Sequence, residues 1–295
     1  MFEGFARRLI DVGATALHCR IGGDGPPLLL LHGFPQTHVM WHGLAAPLAE
    51  RFTVVAVDLK GYGDSAKPAG APPHAAYAKR TLADECRRLM AALGFARFAV
   101  AAHDRGARVA HRLALDHPSA VERLALLDIV ATRTLFDATD RALAMAYEHW
   151  FFLAQPAPFP ETMIGAAPIA YLHAKLGGWG TGLAAFAPEA LAEYERCIQN
   201  TATIHAMCED YRAAATIDLE HDRADAAARI RCPLLVLWGA HGVMHRHFDV
   251  LATWRELHAE PASVQGRAIA AGHFLVEEAP AATLAAIAPF LARSH

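Results

Sequence analysis

Short apolar runs that end in turn residues recur through the first 130 residues of the chain. Each run is polar only at its ends, which is typical of strands buried on both faces of a parallel sheet. Segments with helical periodicity lie between the runs, and this alternation predicts an α/β fold with a mostly parallel sheet flanked by helices. The predicted strands are 28–31, 54–57, 98–102 and 124–127, and the predicted helices are 39–50, 81–93 and 105–116.

The pattern changes near residue 131. Residues 131–226 combine aromatic, proline and glycine residues with helical segments and contain no convincing strand pattern. Strand patterns return at 232–239 and near 268–270, before a last helical segment. We therefore predict an α/β core formed by residues 1–130 and 227–295, with residues 131–226 inserted between them as a helical cap.

The composition narrows the function classes. The chain has 295 residues, of which 54% are hydrophobic and 19% charged, so it contains enough apolar residues for a large core. Thirty acidic residues against 27 basic ones give a formal charge of −3, which argues against nucleic acid or an anionic membrane as partner. We find neither a signal-peptide pattern nor an apolar run near the roughly 18 residues of a membrane span, so we expect no membrane insertion.

The cysteine and histidine patterns argue against a disulfide framework and a metal site. The five cysteines are odd in number, are widely spaced and lack a C-x-x-C pair, which favours reduced thiols and a cytoplasmic location. His241, His245 and His247 form a cluster, but no carboxylate or cysteine at a suitable spacing completes a ligand set. We expect neither a metal nor an organic cofactor.

A strand-to-helix turn supplies the candidate nucleophile. The run at 98–102 is followed by His103, Asp104, Arg105 and Gly106, and small residues flank the central aspartate on both sides. A small-x-nucleophile-x-Gly turn of this kind lifts its central side chain above the end of the sheet. Taken alone, Asp104 fits equally well as the cap of the following helix.

Two further loops favour the catalytic interpretation. Phe34 lies in a loop after an earlier strand, where its N–H and that of Arg105 would form an oxyanion hole. His273 follows the last predicted strand, in the position expected of a general base. The order of nucleophile, acid and histidine along the chain is then the order found in one large class of hydrolytic enzymes.

The acid that orients His273 is inferred by elimination. Residues 238–242, after the penultimate strand, contain no carboxylate. Asp128, at the end of the strand before the predicted cap, is the remaining well-placed acid and would stabilise the charged imidazole. The alternative for Asp128 is a helix cap or turn residue.

Three motifs at 32–37, 58–65 and 103–108 resemble the α/β-hydrolase fold, and within it the haloacetate (fluoroacetate) dehalogenases. The resemblance covers nearly the whole chain, and the Asp-Arg-Gly-Ala-Arg run is its most specific element. Related haloalkane dehalogenases and epoxide hydrolases usually have tryptophan directly after the nucleophile, whereas this chain has Arg105.

Arg105 and Arg108 are three residues apart on the helix that begins at the turn, so they share one face of it. Guanidinium groups bind carboxylates well, and two of them would hold a small acid and lower the pKa of Asp104. The alternative for either arginine alone is a structural salt bridge.

The resemblance implies that His149, Trp150 and Tyr211 donate hydrogen bonds to a departing halide. The alternative is packing, with the polar tips of these side chains bound to backbone. Trp179, which lies in a glycine-rich segment, is expected to line the same pocket. The family also implies a homodimer.

The expected function is hydrolysis of a haloacetate to glycolate and halide through an ester on Asp104. An epoxide hydrolase would use the same aspartate and histidine and would need cap tyrosines to protonate the epoxide oxygen. The tyrosines in the predicted cap are Tyr147, Tyr171, Tyr194 and Tyr211. A non-catalytic, ligand-binding relative is the third alternative.

Overall fold

The computed structural model describes residues 1–292 and contains an eight-stranded sheet with the order β1-β2-β4-β3-β5-β6-β7-β8. The first strand pairs antiparallel with the second, and the second antiparallel with the fourth. All other pairs of neighbouring strands are parallel, as the sequence predicts. The strands are β1 Ala6–Asp11, β2 Ala16–Gly22, β3 Pro27–Leu31, β4 Thr53–Val57, β5 Phe98–His103, β6 Val121–Leu127, β7 Leu234–Gly239 and β8 Gln265–Ile269.

In the described part of the chain, seven α-helices belong to the core that surrounds the sheet. They are α1 His42–Ala49, α2 Lys79–Ala92, α3 Asp104–Asp116, α12 Val243–His247, α13 Val250–Glu256, α14 Leu275–Glu278 and α15 Pro280–Leu291. Short 3-10 helices lie at His38–Trp41, Ala75–Tyr77 and Pro261–Ser263.

Eight helices lie between β6 and β7, and we call residues 132–224 the helical insertion. They are α4 Thr132–Asp137, α5 Arg141–Ala146, α6 Glu148–Leu153, α7 Phe159–Ala166, α8 Pro168–Gly178, α9 Pro188–Ile198, α10 Thr201–Ala215 and α11 Ile217–Ala224. A 3-10 helix at Leu183–Ala185 joins α8 to α9. Within the described residues the insertion contains no strand, in agreement with its sequence pattern.

The central strands form the core because their side chains are apolar on both faces. Every residue of β4 and β5 is buried, and so are all but one residue of β3 and of β6. The helix predicted at 39–50 is interrupted, since a 3-10 turn ends at Trp41 before α1 begins. No helix in the described part of the chain has the length and apolarity needed to cross a bilayer.

The sequence pattern misses the first two strands. Five of the six residues of β1 are exposed and the other is half-buried, so the strand has no apolar face to recognise. It forms at the edge of the sheet through backbone pairing with β2, from Ala6 opposite Ile21 to Asp11 opposite Ala16.

Gly106 allows α3 to pack closely against the end of β3. A Cβ atom at this position would lie 2.3 Å from the carbonyl oxygen of His32 and 2.8 Å from the Cβ of Leu31. We expect Gly106→Ala to lower the free energy of unfolding by about 1–3 kcal/mol, because the backbone of the loop must shift. Urea denaturation measures this change.

Gly165→Ala is the matched control, because Gly165 is also helical and a Cβ there would meet nothing within 4 Å. This variant should be as stable as the wild type or gain up to about 1 kcal/mol from helix propensity. Equal stability of Gly106→Ala and the wild type would contradict the close packing of α3.

Candidate active site

The candidate nucleophile stands on a sharp turn between β5 and α3. Asp104 adopts a left-handed backbone conformation, with φ of +47°, which a non-glycine residue rarely adopts. The Phe34 N–H donates a hydrogen bond to Asp104 Oδ1 at 2.8 Å. The Arg105 N–H, in the first turn of α3, has no acceptor within its own helix. One predicted oxyanion donor, the Phe34 N–H, therefore contacts the carboxylate of Asp104, and the other, the Arg105 N–H, directly follows this residue in the chain.

The strand order brings the site together. Strands β3, β5 and β6 are neighbours, so the loops that carry Phe34, Asp104 and Asp128 meet at one edge of the sheet. The loop after β8 has to cross the end of β7 to reach them. It can do so because β7 ends in Gly239, where a Cβ atom would lie 1.9 Å from the Gly272 carbonyl oxygen.

His273 lies between two carboxylates. Its Nδ1 donates to Asp128 Oδ2 at 2.6 Å, and its Nε2 lies 3.9 Å from Asp104 Oδ2. The other oxygen of Asp128 accepts the Gly239 N–H at 2.9 Å, which fixes this acid against β7. An Nδ1–H bonded to Asp128 leaves the Nε2 lone pair facing Asp104, as a base requires.

The imidazole of His273 is stabilised in its charged form. Burial lowers the pKa of His273, but the hydrogen bond and charge of Asp128 outweigh burial and raise that pKa above its usual value. His103 is neutral, since burial lowers its pKa to about 3, and its Nε2–H donates to the His273 carbonyl oxygen at 2.8 Å. His103 thus supports the loop after β8 that carries His273, which we call the histidine loop.

Glu278 holds the histidine loop and part of the insertion together. Its carboxylate accepts the N–H groups of Gly272 at 2.8 Å, Phe274 at 2.9 Å and Thr181 at 3.1 Å. The His273 N–H donates to the carbonyl oxygen of Trp179, also in the insertion, at 2.9 Å. The sequence analysis does not find Glu278, because only the folded chain brings Thr181 next to the segment that contains Gly272 and Phe274.

The carboxylate of Asp104 is ionised although the side chain is buried. Burial raises the pKa of Asp104, but the neighbouring positive charges outweigh burial and hold that pKa below its usual value. His273 is the largest of these lowering influences, and Arg105 and Arg108 also contribute. The direction is the one predicted from the arginine pair, although the histidine contributes more.

The two arginines are buried, and part of each guanidinium group is already bound. Arg105 donates from Nε and Nη2 to Asp210, and only its Nη1 lacks a partner among the described residues. Arg108 donates from Nη1 to Val130 and Thr132, and its buried Nε has no partner there. Asp210 therefore occupies one edge of the Arg105 guanidinium, and the binding of a substrate carboxylate by Arg105 and Arg108 stays a prediction.

Aromatic rings from the insertion pack around Phe34 and His273. The ring of Phe34 stacks on His149 with centroids 5.8 Å apart and meets Tyr211 edge-on at 5.3 Å. Trp179 packs on His149 at 4.3 Å and on His273 at 5.9 Å. The predicted pocket residues thus lie together above Asp104.

Two polar atoms of these rings have no hydrogen-bond partner. Within residues 1–292, the hydroxyl of Tyr211 and the Nδ1 of His149 are buried and have no hydrogen-bond partner, although this Nδ1 lies 3.4 Å from Glu148 Oε2. His149 is neutral, because burial holds its pKa well below the usual value. Trp150 instead presents its ring to the guanidinium groups, with Arg108 Cζ 4.5 Å and Arg105 Cζ 5.0 Å from the ring centroid.

One cluster has metal-ligand residue types but is already satisfied. His18 and His38 each place Nδ1 2.8 Å from a different oxygen of Asp58. The backbone N–H groups of His38 and Asp64 also donate to Asp58, and Arg7 Nε donates to His18 Nε2. His18 therefore uses its Nδ1 proton to bind Asp58, so the cluster serves to fix the turn after β4.

Sequence and structure comparisons are consistent with this geometry. The family model of the α/β hydrolase fold matches residues 26–280. The chain is 48% identical to a fluoroacetate dehalogenase from Burkholderia sp, over 99% of this chain and 95% of that protein. It is 33% identical to a soluble epoxide hydrolase from Corynebacterium sp. (strain C12), over 91% of each protein. A crystal structure from Nostoc sp PCC 7120, assigned to the α/β hydrolases, superposes with a TM-score of 0.97 at 54% identity and covers 100% of both chains.

The contact between Asp128 and His273 predicts a measurable pKa change. We expect Asp128→Asn to lower the pKa of His273, because the neutral amide can accept the hydrogen bond but supplies no negative charge. The imidazole would then stay neutral to a lower pH than in the wild type. NMR titration of the labelled His273 ring measures this shift directly.

Asp137→Asn is the control, since the Asp137 side chain is 69% exposed and lies outside these contacts. It should leave the titration of His273 unchanged. An unchanged titration in Asp128→Asn would show that Asp128 does not stabilise the imidazolium.

Proposed function

Because this chain belongs to the α/β-hydrolase family, we propose that it hydrolyses haloacetates to glycolate and halide through an ester on Asp104. The observation that carries this proposal is the pair of unpaired guanidinium nitrogens, Arg105 Nη1 and Arg108 Nε, beside an anionic aspartate. A carboxylate is the ligand that two such buried donors would bind. The dehalogenase relative supports the same substrate class.

In the first step, Asp104 Oδ2 attacks the carbon that carries the halogen, and the halide leaves with the bonding electrons. Oδ2 is the available oxygen, since Oδ1 accepts the Phe34 N–H. The low pKa of Asp104 keeps the nucleophile ionised. The arginines would hold the substrate carboxylate and so fix the direction of attack.

Halide departure needs donors that replace water. The unpaired Tyr211 hydroxyl and the neutral ring of His149 support this role, and Trp150 is the third proposed donor. Trp179 and Phe34 enclose these groups and exclude solvent. Fluoride is small and strongly hydrated, so it depends on such donors more than chloride does.

In the second step, water hydrolyses the ester. His273 Nε2 takes a proton from the water, which attacks Cγ of Asp104, and Asp128 stabilises the imidazolium that forms. The negative charge develops on Oδ1, beside the N–H groups of Phe34 and Arg105. Collapse of this intermediate breaks the bond to the glycolate oxygen, which takes the proton from the His273 imidazolium. The carboxylic acid left at Asp104 then loses its proton, and this restores the carboxylate.

We propose that residues 131–226 act as a cap that encloses the substrate. The rings of His149, Trp179 and Tyr211 support this role, because all three belong to the helical insertion and pack around Phe34 of the core.

We also propose a cytoplasmic homodimer. The five cysteines are unpaired, which suits a reducing compartment. Exposed apolar side chains on α5 and α7, namely Met145, Phe159 and Met163, support contact with a second copy.

Epoxide hydrolysis is the second candidate, and the unpaired Tyr211 hydroxyl favours it, because such a group can protonate the epoxide oxygen. The relative from Corynebacterium supports it at lower identity. The arginine nitrogens, however, have no role with an uncharged epoxide.

Asp104→Asn tests the nucleophile. We expect the wild type to release halide from fluoroacetate and chloroacetate, and the variant to lose about four orders of magnitude in rate or more, since a neutral amide cannot form the ester. Ion-selective electrodes measure both halides. Asp137→Asn is the control for the loss of a carboxylate elsewhere.

Release of chloride from chloroacetate, without release of fluoride from fluoroacetate, would support the ester mechanism. It would contradict the proposal that His149, Trp150 and Tyr211 donate hydrogen bonds to a departing fluoride. Diol formation from an epoxide, with no halide from either acid, would favour the second candidate. Binding of these compounds without turnover would contradict both and indicate a non-catalytic relative.

A further inference from the structure

The salt bridge between Arg105 and Asp210 joins the core to the helical insertion. Arg105 Nε lies 2.8 Å from Asp210 Oδ2, and Nη2 lies 3.0 Å from Oδ1 and 2.8 Å from the Asp210 carbonyl oxygen. The side chains are 1% and 2% exposed. A guanidinium held along one edge in this way cannot rotate, so its unpaired Nη1 has a fixed direction.

Asp210 also balances the charge of this pair. Its carboxylate forms an ion pair with Lys79 and accepts a hydrogen bond from the Tyr62 hydroxyl at 3.3 Å. Lys79 in turn lies 3.6 Å from Asp218, so two cations and two anions form one buried cluster. Burial raises the pKa of Asp210, but Arg105 and Lys79 outweigh it and hold that pKa well below the usual value.

Arg108 differs from Arg105 in its partners. Its hydrogen bonds go to the Val130 carbonyl oxygen and the Thr132 hydroxyl, both of which are uncharged. The charge of Arg105 is therefore compensated by Asp210, whereas Arg108 forms no ion pair with a carboxylate within residues 1–292.

The position of Asp210 in the chain links the arginine that it binds to a tyrosine of the proposed halide site. It directly precedes Tyr211 in α10, and the ring of Tyr211 lies 4.2 Å from Arg105 Cζ. One turn of one insertion helix thus contacts the guanidinium and supplies the unpaired hydroxyl above the nucleophile.

We propose that Asp210 is a positioning residue that makes Arg105 a directional donor and limits the pocket to a single carboxylate group. Arg105 then contributes one oriented N–H and Arg108 contributes the attractive charge. A second carboxylate finds no uncompensated cation. This inference deepens the proposed function and rests on the carboxylate site assumed there.

The test compares Asp210→Asn with Glu209→Gln by titration calorimetry of acetate and malonate, which carry one and two carboxylates. Glu209 is the matched control, because it lies beside Asp210 on α10 and is also buried. It pairs with Arg212 and His74 rather than with the two arginines of the site. Binding needs no turnover, so it separates this inference from the proposed reaction.

We expect the wild type and Glu209→Gln to bind acetate more tightly than malonate. In Asp210→Asn the ratio of the malonate dissociation constant to the acetate dissociation constant should fall about tenfold. The guanidinium of Arg105 can then rotate, and its unbalanced positive charge can bind the second carboxylate of malonate. KM for chloroacetate should rise by a similar factor, with a smaller loss in kcat. An unchanged ratio in Asp210→Asn would overturn the proposal.

Asp210→Asn leaves Lys79 beside a neutral partner and could impair folding, which circular dichroism would reveal. If folding is impaired, Asp210→Glu tests the positioning role instead. This variant keeps a negative charge next to Lys79 but displaces the carboxylate from Arg105. Weaker acetate binding by this variant supports the positioning role, and wild-type acetate binding contradicts it. Acetate binding by a wild type that releases no halide would contradict the proposed reaction alone.

Discussion

The site depends on keeping the carboxylate of Asp104 ionised where almost no solvent reaches it. Burying a lone carboxylate costs several kcal/mol, and the group would take up a proton unless neighbouring charges and dipoles compensated it. The compensation comes from the Phe34 N–H, from the first turn of α3 and from the cations of Arg105, Arg108 and His273. The groups that keep Asp104 charged are also those assigned to the substrate, the water and the oxyanion.

These compensating groups come from widely separated parts of the chain. The parallel sheet brings the loops after β3, β5 and β6 to one edge, and Gly239 lets the histidine loop cross β7. The insertion contacts the site through α10, Trp179 and the hydrogen bond between Thr181 and Glu278. In the core, the imidazole of His273 lies between the carboxylates of Asp128 and Asp104. Across the boundary with the insertion, the guanidinium of Arg105 pairs with the carboxylate of Asp210.

The sequence predicts the parts that have a local signal. Buried parallel strands appear as apolar runs, and the turn at Asp104 and the loops that carry Phe34 and His273 are visible as motifs, whereas Asp128 is reached only by elimination. The exposed edge strand β1 is missed because its stability comes from backbone pairing rather than from side-chain pattern. The family model and the crystal structure from Nostoc confirm the fold class.

The site is predicted less completely, because burial and pairing cannot be seen in a linear chain. Asp210 is one of several charged residues in α10, and nothing in the sequence tells that it binds Arg105. Glu278 accepts N–H groups from its own segment of the chain and also from Thr181, which lies 97 residues away in the sequence. The closest sequence signal for Asp210 is a carboxylate directly before a predicted pocket tyrosine.

The most direct test of the central claim is a single turnover of chloroacetate by excess enzyme in heavy-oxygen water. If Asp104 forms the ester and water attacks its Cγ, the label enters the Asp104 carboxylate and the first glycolate released contains none. Peptide mass spectrometry of the segment that contains Asp104 measures this incorporation. Label in glycolate alone would mean that water attacks the substrate carbon directly, and it would contradict the account of Asp104 as a nucleophile.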